Sequence, residues 1–158
     1  MKKNEVERVP TGIPLFDKYT EGGFLKNSVN LITGGAGTGK TTFVMQFLWN
    51  GVEKYGDNCL FLSFEDDLEI IRRDSKGYGF DFDKYEKQKK FHLKSIIPYE
   101  QSLSLERQKG ELRRELIDYI KKNKVKRIVI DPITLYGMAF KTSYDVRRNL
   151  FDLVRMLK

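Results

Sequence analysis

The chain has 158 residues and a mass of 18.5 kDa, which suits a single domain, and we predict one domain over residues 1–158. Hydrophobic residues make up 40% and charged residues 32%, which excludes intrinsic disorder, and no apolar run is long enough to span a membrane. The N-terminus carries no secretory signal, and one cysteine, Cys59, cannot form an intramolecular disulfide. We therefore expect a reduced, cytoplasmic protein that does not enter a membrane.

The chain is basic, with 29 Lys and Arg against 22 Asp and Glu, a net charge of +7. Such an excess suits a polyanionic ligand, including nucleic acid. However, the lysines of residues 84–94 interleave with Asp83, Tyr85 and Glu86, and the basic residues at 121–127 follow a helical segment. This placement favours a solvated surface over nucleic-acid binding.

Strand-like apolar runs alternate with segments of helical period along the chain. In chain order we predict a strand at 29–33, a helix at 41–53, a strand at 59–64, a helix at 67–76, a strand at 91–97, a helix at 105–122, a strand at 127–130 and a helix at 143–158 with Ser143 as its N-cap. Alternating strands and helices predict an α/β domain, with a mostly parallel sheet flanked by helices.

The segment GGAGTGKT at residues 34–41 fits the pattern G-x-x-x-x-G-K-[ST], between a strand-like run and an amphipathic helix. Glycines let the backbone wrap a phosphate, the helix N-terminus adds free N–H groups, and the lysine bridges phosphate oxygens. The predicted phosphate-binding residues are Gly35, Ala36, Gly37, Thr38, Gly39, Lys40, Thr41 and Thr42.

Acidic residues follow two strands at the edge where that loop must lie, because ligands bind at the carboxyl ends of parallel strands. The strand at 127–130 ends in Asp131, which we predict to hold Mg²⁺ together with the hydroxyl of Thr41. The alternative for Asp131 is a turn or capping residue before Pro132.

Three acids, Glu65, Asp66 and Asp67, follow the strand at 59–64. Glu65 comes first, so we predict that it orients the water attacking the γ-phosphate, with Asp66 in support. Asp67 is expected to cap the next helix. The alternative is that all three are helix N-terminal acids favoured by the helix dipole.

With these residues in place, the chain resembles the KaiC-like branch of the RecA superfamily of ATPases. The matching segments are VPTGIPLFD at 9–17, EGGF at 21–24, SVNLITG at 28–34, GTGKTTF at 37–43, LSFED at 62–66 and IVIDPIT at 128–134. The resemblance implies a RecA-like P-loop NTPase fold, ATP or ADP with Mg²⁺ as ligands, and ATP hydrolysis at the interfaces of a hexamer-type ring. It also implies autophosphorylation, on residues that the sequence does not identify.

The chain departs from the family pattern at three points. The family has two adjacent glutamates where this chain has Glu65 and Asp66, and it commonly has Asp-Ser where this chain has Asp131 and Pro132. The resemblance also implies that the final strands of the complete core and the basic residues that reach a neighbouring subunit are missing, which leaves an unfilled slot between the strands at 29–33 and 127–130. We therefore expect a partial domain that is marginally stable, rearranged or domain-swapped with a partner. Such a domain would bind ATP without efficient turnover.

Two other functions are compatible with these residues. One is a nucleotide-sensing module that signals through a protein partner without useful turnover. The other is a DNA-dependent recombinase ATPase of the RecA or RadA type.

Overall fold

A three-stranded parallel sheet, in the order β4–β3–β5, forms the centre of the computed structural model. The structure describes residues 6–64, 67–95, 105–138, 140 and 142–158, apart from the side chains of 105–112 and 136–138. The strands are β1 (Arg8–Val9), β2 (Phe24–Leu25), β3 (Asn58–Ser63), β4 (Phe91–Ser95) and β5 (Val125–Asp131). The helices are α1 (Pro14–Tyr19), α2 (Lys40–Lys54), α3 (Leu68–Gly77), α4 (Asp83–Lys87), α5 (Leu105–Lys122), α6 (Ile133–Met138) and α7 (Ser143–Leu157). In the described part of the chain, no helix has the length and apolar character needed to cross a membrane.

The predicted α/β class and parallel sheet are confirmed, and β3 is the fully buried middle strand. Its side chains alternate between two apolar clusters, as expected for a strand covered on both faces. Cys59 and Phe61 pack against α2, whereas Leu60 and Leu62 pack against α5. Burial raises the pKa of the Cys59 thiol to about 12, so this residue is a core side chain.

The helix α2 packs against this sheet through Met45, Leu48 and Val52, which recur at helical spacing and are almost fully buried. At its centre Gly51 lies against Arg127, the second residue after the start of β5. A Cβ at position 51 would lie 2.6 Å from the Arg127 Cδ and 2.9 Å from the Cys59 Sγ. The absence of a side chain at Gly51 therefore sets how closely the helix approaches the sheet.

Arg127 is a buried cation that the surrounding groups satisfy. Its Nε donates to the Asp57 carboxylate at 2.9 Å, and its Nη1 donates to the Phe47 carbonyl at 3.3 Å. The rings of Phe47 and Tyr55 lie 4.7 and 4.9 Å from the guanidinium carbon. Removing either partner of the pair with Asp57 would leave an uncompensated buried charge.

An N-terminal arm, residues 8–25, packs on the outer face of α2. The Asp17 carboxylate accepts from the backbone N–H groups of Thr11 and Gly12, and Asn50 of α2 donates to the Thr11 carbonyl. The ring of Phe16 lies 5.2 Å from that of Phe43 on α2. The arm, including the antiparallel pair of β1 and β2, was not predicted.

The strand predicted at 29–33 is wrong. No regular strand forms there, and Val29 and Leu31 are 40% and 72% exposed. Among the described strands, β5 pairs with β3 alone, so neither the run at 29–33 nor the second edge of β5 has a strand partner. Strand formation requires a neighbour as well as residues suited to it, and the described sheet offers none to this segment.

The other predicted elements are present, with shifts at their ends. Asp67 caps α3 as predicted, because its Oδ1 accepts from the backbone N–H groups of Glu69 and Ile70. The N-cap predicted at Ser143 is wrong. Thr142 caps α7 instead, and its hydroxyl accepts from the Asp145 N–H at 3.1 Å.

We predict that Gly51→Ala lowers the free energy of unfolding by about 1–3 kcal/mol, because the added methyl group overpacks the contact with Arg127 and Cys59. The matched control is Gly77→Ala, at a helical glycine whose Cβ would meet no atom within 4 Å. That change should leave stability unchanged or raise it by up to about 1 kcal/mol. Urea unfolding of both variants tests the pair, and equal effects would refute the packing argument.

Candidate functional site

The loop before α2 has a backbone shaped for an anion. Gly37 and Gly39 have φ angles of 71° and 82°, in the left-handed region that residues with a side chain rarely adopt. Gly39 is the N-cap of α2, and no side chain caps the first N–H groups of this helix. Those N–H groups and the positive end of the helix dipole are therefore available to a ligand.

The predicted phosphate lysine lies on the same loop. The Lys40 ammonium donates to the carbonyls of Gly34 at 3.0 Å and Gly35 at 2.7 Å, and the Thr38 hydroxyl donates to the Gly35 carbonyl at 2.9 Å. These bonds hold the cation over the loop. A phosphate would offer it charged oxygens in place of neutral carbonyls, and bonds between charged groups are the stronger kind.

The structure joins the loop to the predicted metal-binding acid. The Thr41 hydroxyl, in the first turn of α2, donates to Asp131 Oδ2 at the end of β5 at 2.8 Å. The two residues are 90 positions apart, so the contact arises from the packing of α2 on the sheet. A hydroxyl and a carboxylate are the oxygen ligands that suit Mg²⁺, which usually takes its remaining ligands from water and substrate phosphates.

Sequence reasoning did not single out Ser63. This residue ends β3 and is paired in register with Asp131 of β5 and with Ser95 of β4. It is 1% exposed, so a small polar side chain is buried directly beside the metal-binding candidate. A serine at the end of an otherwise apolar strand, just before a run of acids, is the signal that could have identified it.

The two predicted catalytic acids, Glu65 and Asp66, lie outside the described residues. The residues around them are placed: β3 ends at Ser63, and Asp67 caps α3. Thus the structure brings Thr41 and Asp131 into contact, with Lys40 adjacent to Thr41 in the chain. The binding roles of these residues and the catalytic roles of Glu65 and Asp66 stay predictions. Thr42 and Ala36 lie in the same loop-to-helix segment.

The contacts of Trp49 and His92 indicate packing roles for both side chains. The Trp49 ring packs edge-on against Phe82 and Tyr85, with centroids 5.4 and 5.8 Å apart, in the cluster between α2 and α4. His92 lies in β4, and its Nδ1 is 2.8 Å from the Tyr119 hydroxyl. Burial lowers the His92 pKa, which favours the neutral ring.

A family model described as "ATPase: KaiC" matches residues 9–158. The chain is 33% identical over 158 residues to the circadian clock oscillator protein KaiC of Prochlorococcus marinus subsp. pastoris, covering 99% of this chain and 31% of that protein. It is 34% identical over 161 residues to a UPF0273 protein of Methanocaldococcus jannaschii, covering 96% of this chain and 66% of that protein. The chain thus spans about a third of the clock protein and about two thirds of the shorter relative.

The fold agrees with these similarities. The crystal structure of a KaiC-like protein from the hyperthermophilic archaeon Pyrococcus horikoshii OT3 superposes with a TM-score of 0.82 at 36% identity. The match covers 96% of this chain and 67% of that protein.

We predict that the Thr41–Asp131 contact appears as a coupling in a double-mutant cycle. Thr41→Val and Asp131→Asn should each cost stability, and together they should cost about 1 kcal/mol less than their sum, because the two changes remove one shared hydrogen bond. The neighbouring Thr42→Val is the control and should be additive with Asp131→Asn. Urea unfolding measures all the terms, and additivity at Thr41 would refute the contact.

Proposed function

Because the chain belongs to the KaiC family of ATPases, we propose that it binds ATP or ADP with Mg²⁺ at the carboxyl edge of its sheet. The phosphates contact the backbone N–H groups of residues 35–42, and Lys40 bridges the terminal phosphates. Thr41 and Asp131 would hold Mg²⁺, and the bound ion would neutralise charge on the phosphate oxygens.

The observation that carries this proposal is the hydrogen bond between Thr41 and Asp131 at 2.8 Å. It joins the phosphate-binding segment to the acid at the end of β5. The open backbone of Gly37 and Gly39 and the uncapped N-terminus of α2 support the same ligand. An anion at this position would be favoured by both the N–H groups and the helix dipole.

For hydrolysis we propose that Glu65 orients the attacking water and accepts its proton, with Asp66 in support. Both acids directly precede Asp67 in the chain. Asp67 caps α3, and Ser63, the last residue of β3, is in register with Asp131. The shorter Asp66 stands where the family has a second glutamate, so we assign the main role to Glu65.

We further propose that hydrolysis is efficient only in a homo-oligomer, such as the hexamer-type ring that the family resemblance implies. The described residues from 33 to 39 are all exposed, which leaves the phosphate loop open to a neighbouring subunit. Arg147 and Arg148 are exposed on α7 and are not joined to Lys40, Thr41 or Asp131 by any contact among the described residues. A cation supplied by a neighbouring subunit raises the rate of phosphoryl transfer about 10³–10⁵-fold in related enzymes. We therefore expect this chain to bind ATP but to hydrolyse it slowly. Autophosphorylation and a cytoplasmic location stay predictions.

We predict that Lys40→Ala weakens the binding of a fluorescent ATP analogue about tenfold or more, because a charge-assisted hydrogen bond to phosphate is lost. The control is Lys18→Ala, which removes an exposed lysine from α1. Equal affinities of the wild type and Lys40→Ala would contradict the assignment of the loop.

We predict tight magnesium-ATP binding by calorimetry and negligible single-turnover hydrolysis on the same sample, with the mass measured by light scattering. Glu65→Gln should keep the affinity and remove the remaining turnover. Brisk hydrolysis by a monomer would contradict the proposal, since every catalytic group would then come from this chain alone.

A further inference from the structure

The edge of the sheet at the strand starts, opposite to the phosphate loop, carries a dense group of lysines. We call the six of them the basic edge: Lys89, Lys90, Lys121, Lys122, Lys124 and Lys126. Four of the six residues from 121 to 126 are lysine, and neither this segment nor residues 87–90 contains an acid. In strands of five to seven residues the two edges lie about 20 Å apart.

The parallel topology brings the two lysine segments to either side of the start of β3. The Cys59 N–H donates to the Lys90 carbonyl at 2.8 Å, and the Asn58 side chain donates to the Asn123 carbonyl at 2.7 Å. Neighbouring strands are about 4.8 Å apart. The starts of β4 and β5, on either side of β3, therefore lie about 10 Å apart, and each adjoins one of the two lysine segments. The basic edge is therefore one continuous surface and not two separate charge runs.

Two of these lysines occupy a backbone conformation that normally selects glycine or asparagine. Lys89 and Lys124 have φ angles of 57° and 50°, and each lies in the turn just before a strand of the sheet. A left-handed residue with a side chain costs free energy on the order of 1 kcal/mol. Both positions follow the end of a helix, α4 and α5, where a left-handed residue commonly terminates the helix. Both lysine side chains are exposed there, just before a strand.

Two of the acids near the basic edge form ion pairs. The Asp57 carboxylate pairs with Arg127 at 2.9 Å and Lys126 at 3.2 Å. Glu53, at the end of α2, pairs with Lys84 at 3.1 Å. Asp57 thus offsets the charge of Lys126, and the exposed Asp118 lies one turn before Lys121 and Lys122 on α5. The six lysines still outnumber these acids, so the basic edge carries a net positive charge.

An exposed aromatic ring lies on the β5 side of the sheet, near the basic edge. Tyr55 is 42% exposed at the end of α2, two residues before Asp57, which pairs with Lys126, and its ring packs on the buried Arg127 guanidinium. The guanidinium covers one face of the ring and holds its position. Exposed aromatic rings flanked by flexible cations are typical of single-stranded nucleic-acid binding, in which bases stack and lysines contact phosphates.

We propose that the basic edge binds single-stranded nucleic acid without sequence preference, with a base on Tyr55 and the phosphates on the lysines. The Tyr55 ring by itself offers too little apolar surface for insertion into a membrane. A single aromatic ring suits a base better than it suits the apolar face of an acidic helix. The site is separate from the phosphate loop and does not rest on the nucleotide function proposed above.

The test measures the anisotropy of a fluorescein-labelled 20-nucleotide oligothymidylate between 50 and 200 mM salt. The wild type should bind, and the double variant Lys89→Gly with Lys124→Gly should bind about tenfold more weakly at 50 mM. Its log–log salt slope should be shallower by about 1.4, since each lost phosphate contact removes about 0.7. The glycines relieve the left-handed strain, so the melting temperature should be unchanged or higher, which separates lost binding from lost folding.

Three controls and one further site variant keep the result specific. The charge-matched variant Lys18→Gln with Arg155→Gln should bind like the wild type, and Tyr55→Ala should weaken binding. Lys40→Ala and saturating magnesium-ATP should leave oligothymidylate binding unchanged, which separates this site from the phosphate loop.

Several outcomes would overturn the proposal. These are no binding by the wild type at 50 mM salt, equal losses in the two charge variants, and stronger binding to phosphatidylserine vesicles or polyglutamate than to oligothymidylate.

Discussion

The packing of α2 against β3 and β5 is the contact on which the rest of the structure depends. It forms because Met45, Leu48 and Val52 lie on one face of the helix, and because Gly51 admits Arg127. The helix begins at Lys40, so its position against the sheet also fixes where the phosphate-binding residues lie. The hydrogen bond from Thr41 to Asp131 is a consequence of that packing and not of local sequence.

The central strands could be predicted because burial on both faces leaves a local signal. β3 is an uninterrupted apolar run from Cys59 to Leu62, and its side chains alternate between two hydrophobic clusters. The long helices could be predicted for a similar reason, since one apolar stripe must face the sheet. The cap of α7 could not be placed, because Thr142 and Ser143 are adjacent hydroxyl residues of nearly equal N-cap preference.

The site could be predicted in part, since the sheet rule places residues after parallel strands at one edge. That rule put Thr41 and Asp131 together without any long-range information. It could not give the buried Ser63 beside Asp131, or the pairing of Arg127 with Asp57 across 70 residues. Those contacts depend on the register of β3 and β5, which includes an irregularity at Asn58 and Cys59 that no local pattern encodes.

The segment at 29–33 shows why residues suited to a strand do not by themselves make one. The resemblance implied a slot between this segment and β5, and unpaired backbone groups inside a buried slot would cost several kcal/mol. The structure has no such buried slot beside this segment, because Val29 and Leu31 are exposed and the backbone there remains open to water. The segment therefore loses the free energy of burying its apolar side chains, about 25 cal/mol per Å². It does not bury unpaired backbone N–H and C=O groups. Exposing a few apolar side chains costs less free energy than burying a row of unpaired peptide groups. The described part of the chain therefore keeps its sheet, helix α2 and the Thr41–Asp131 contact without a strand on the second edge of β5.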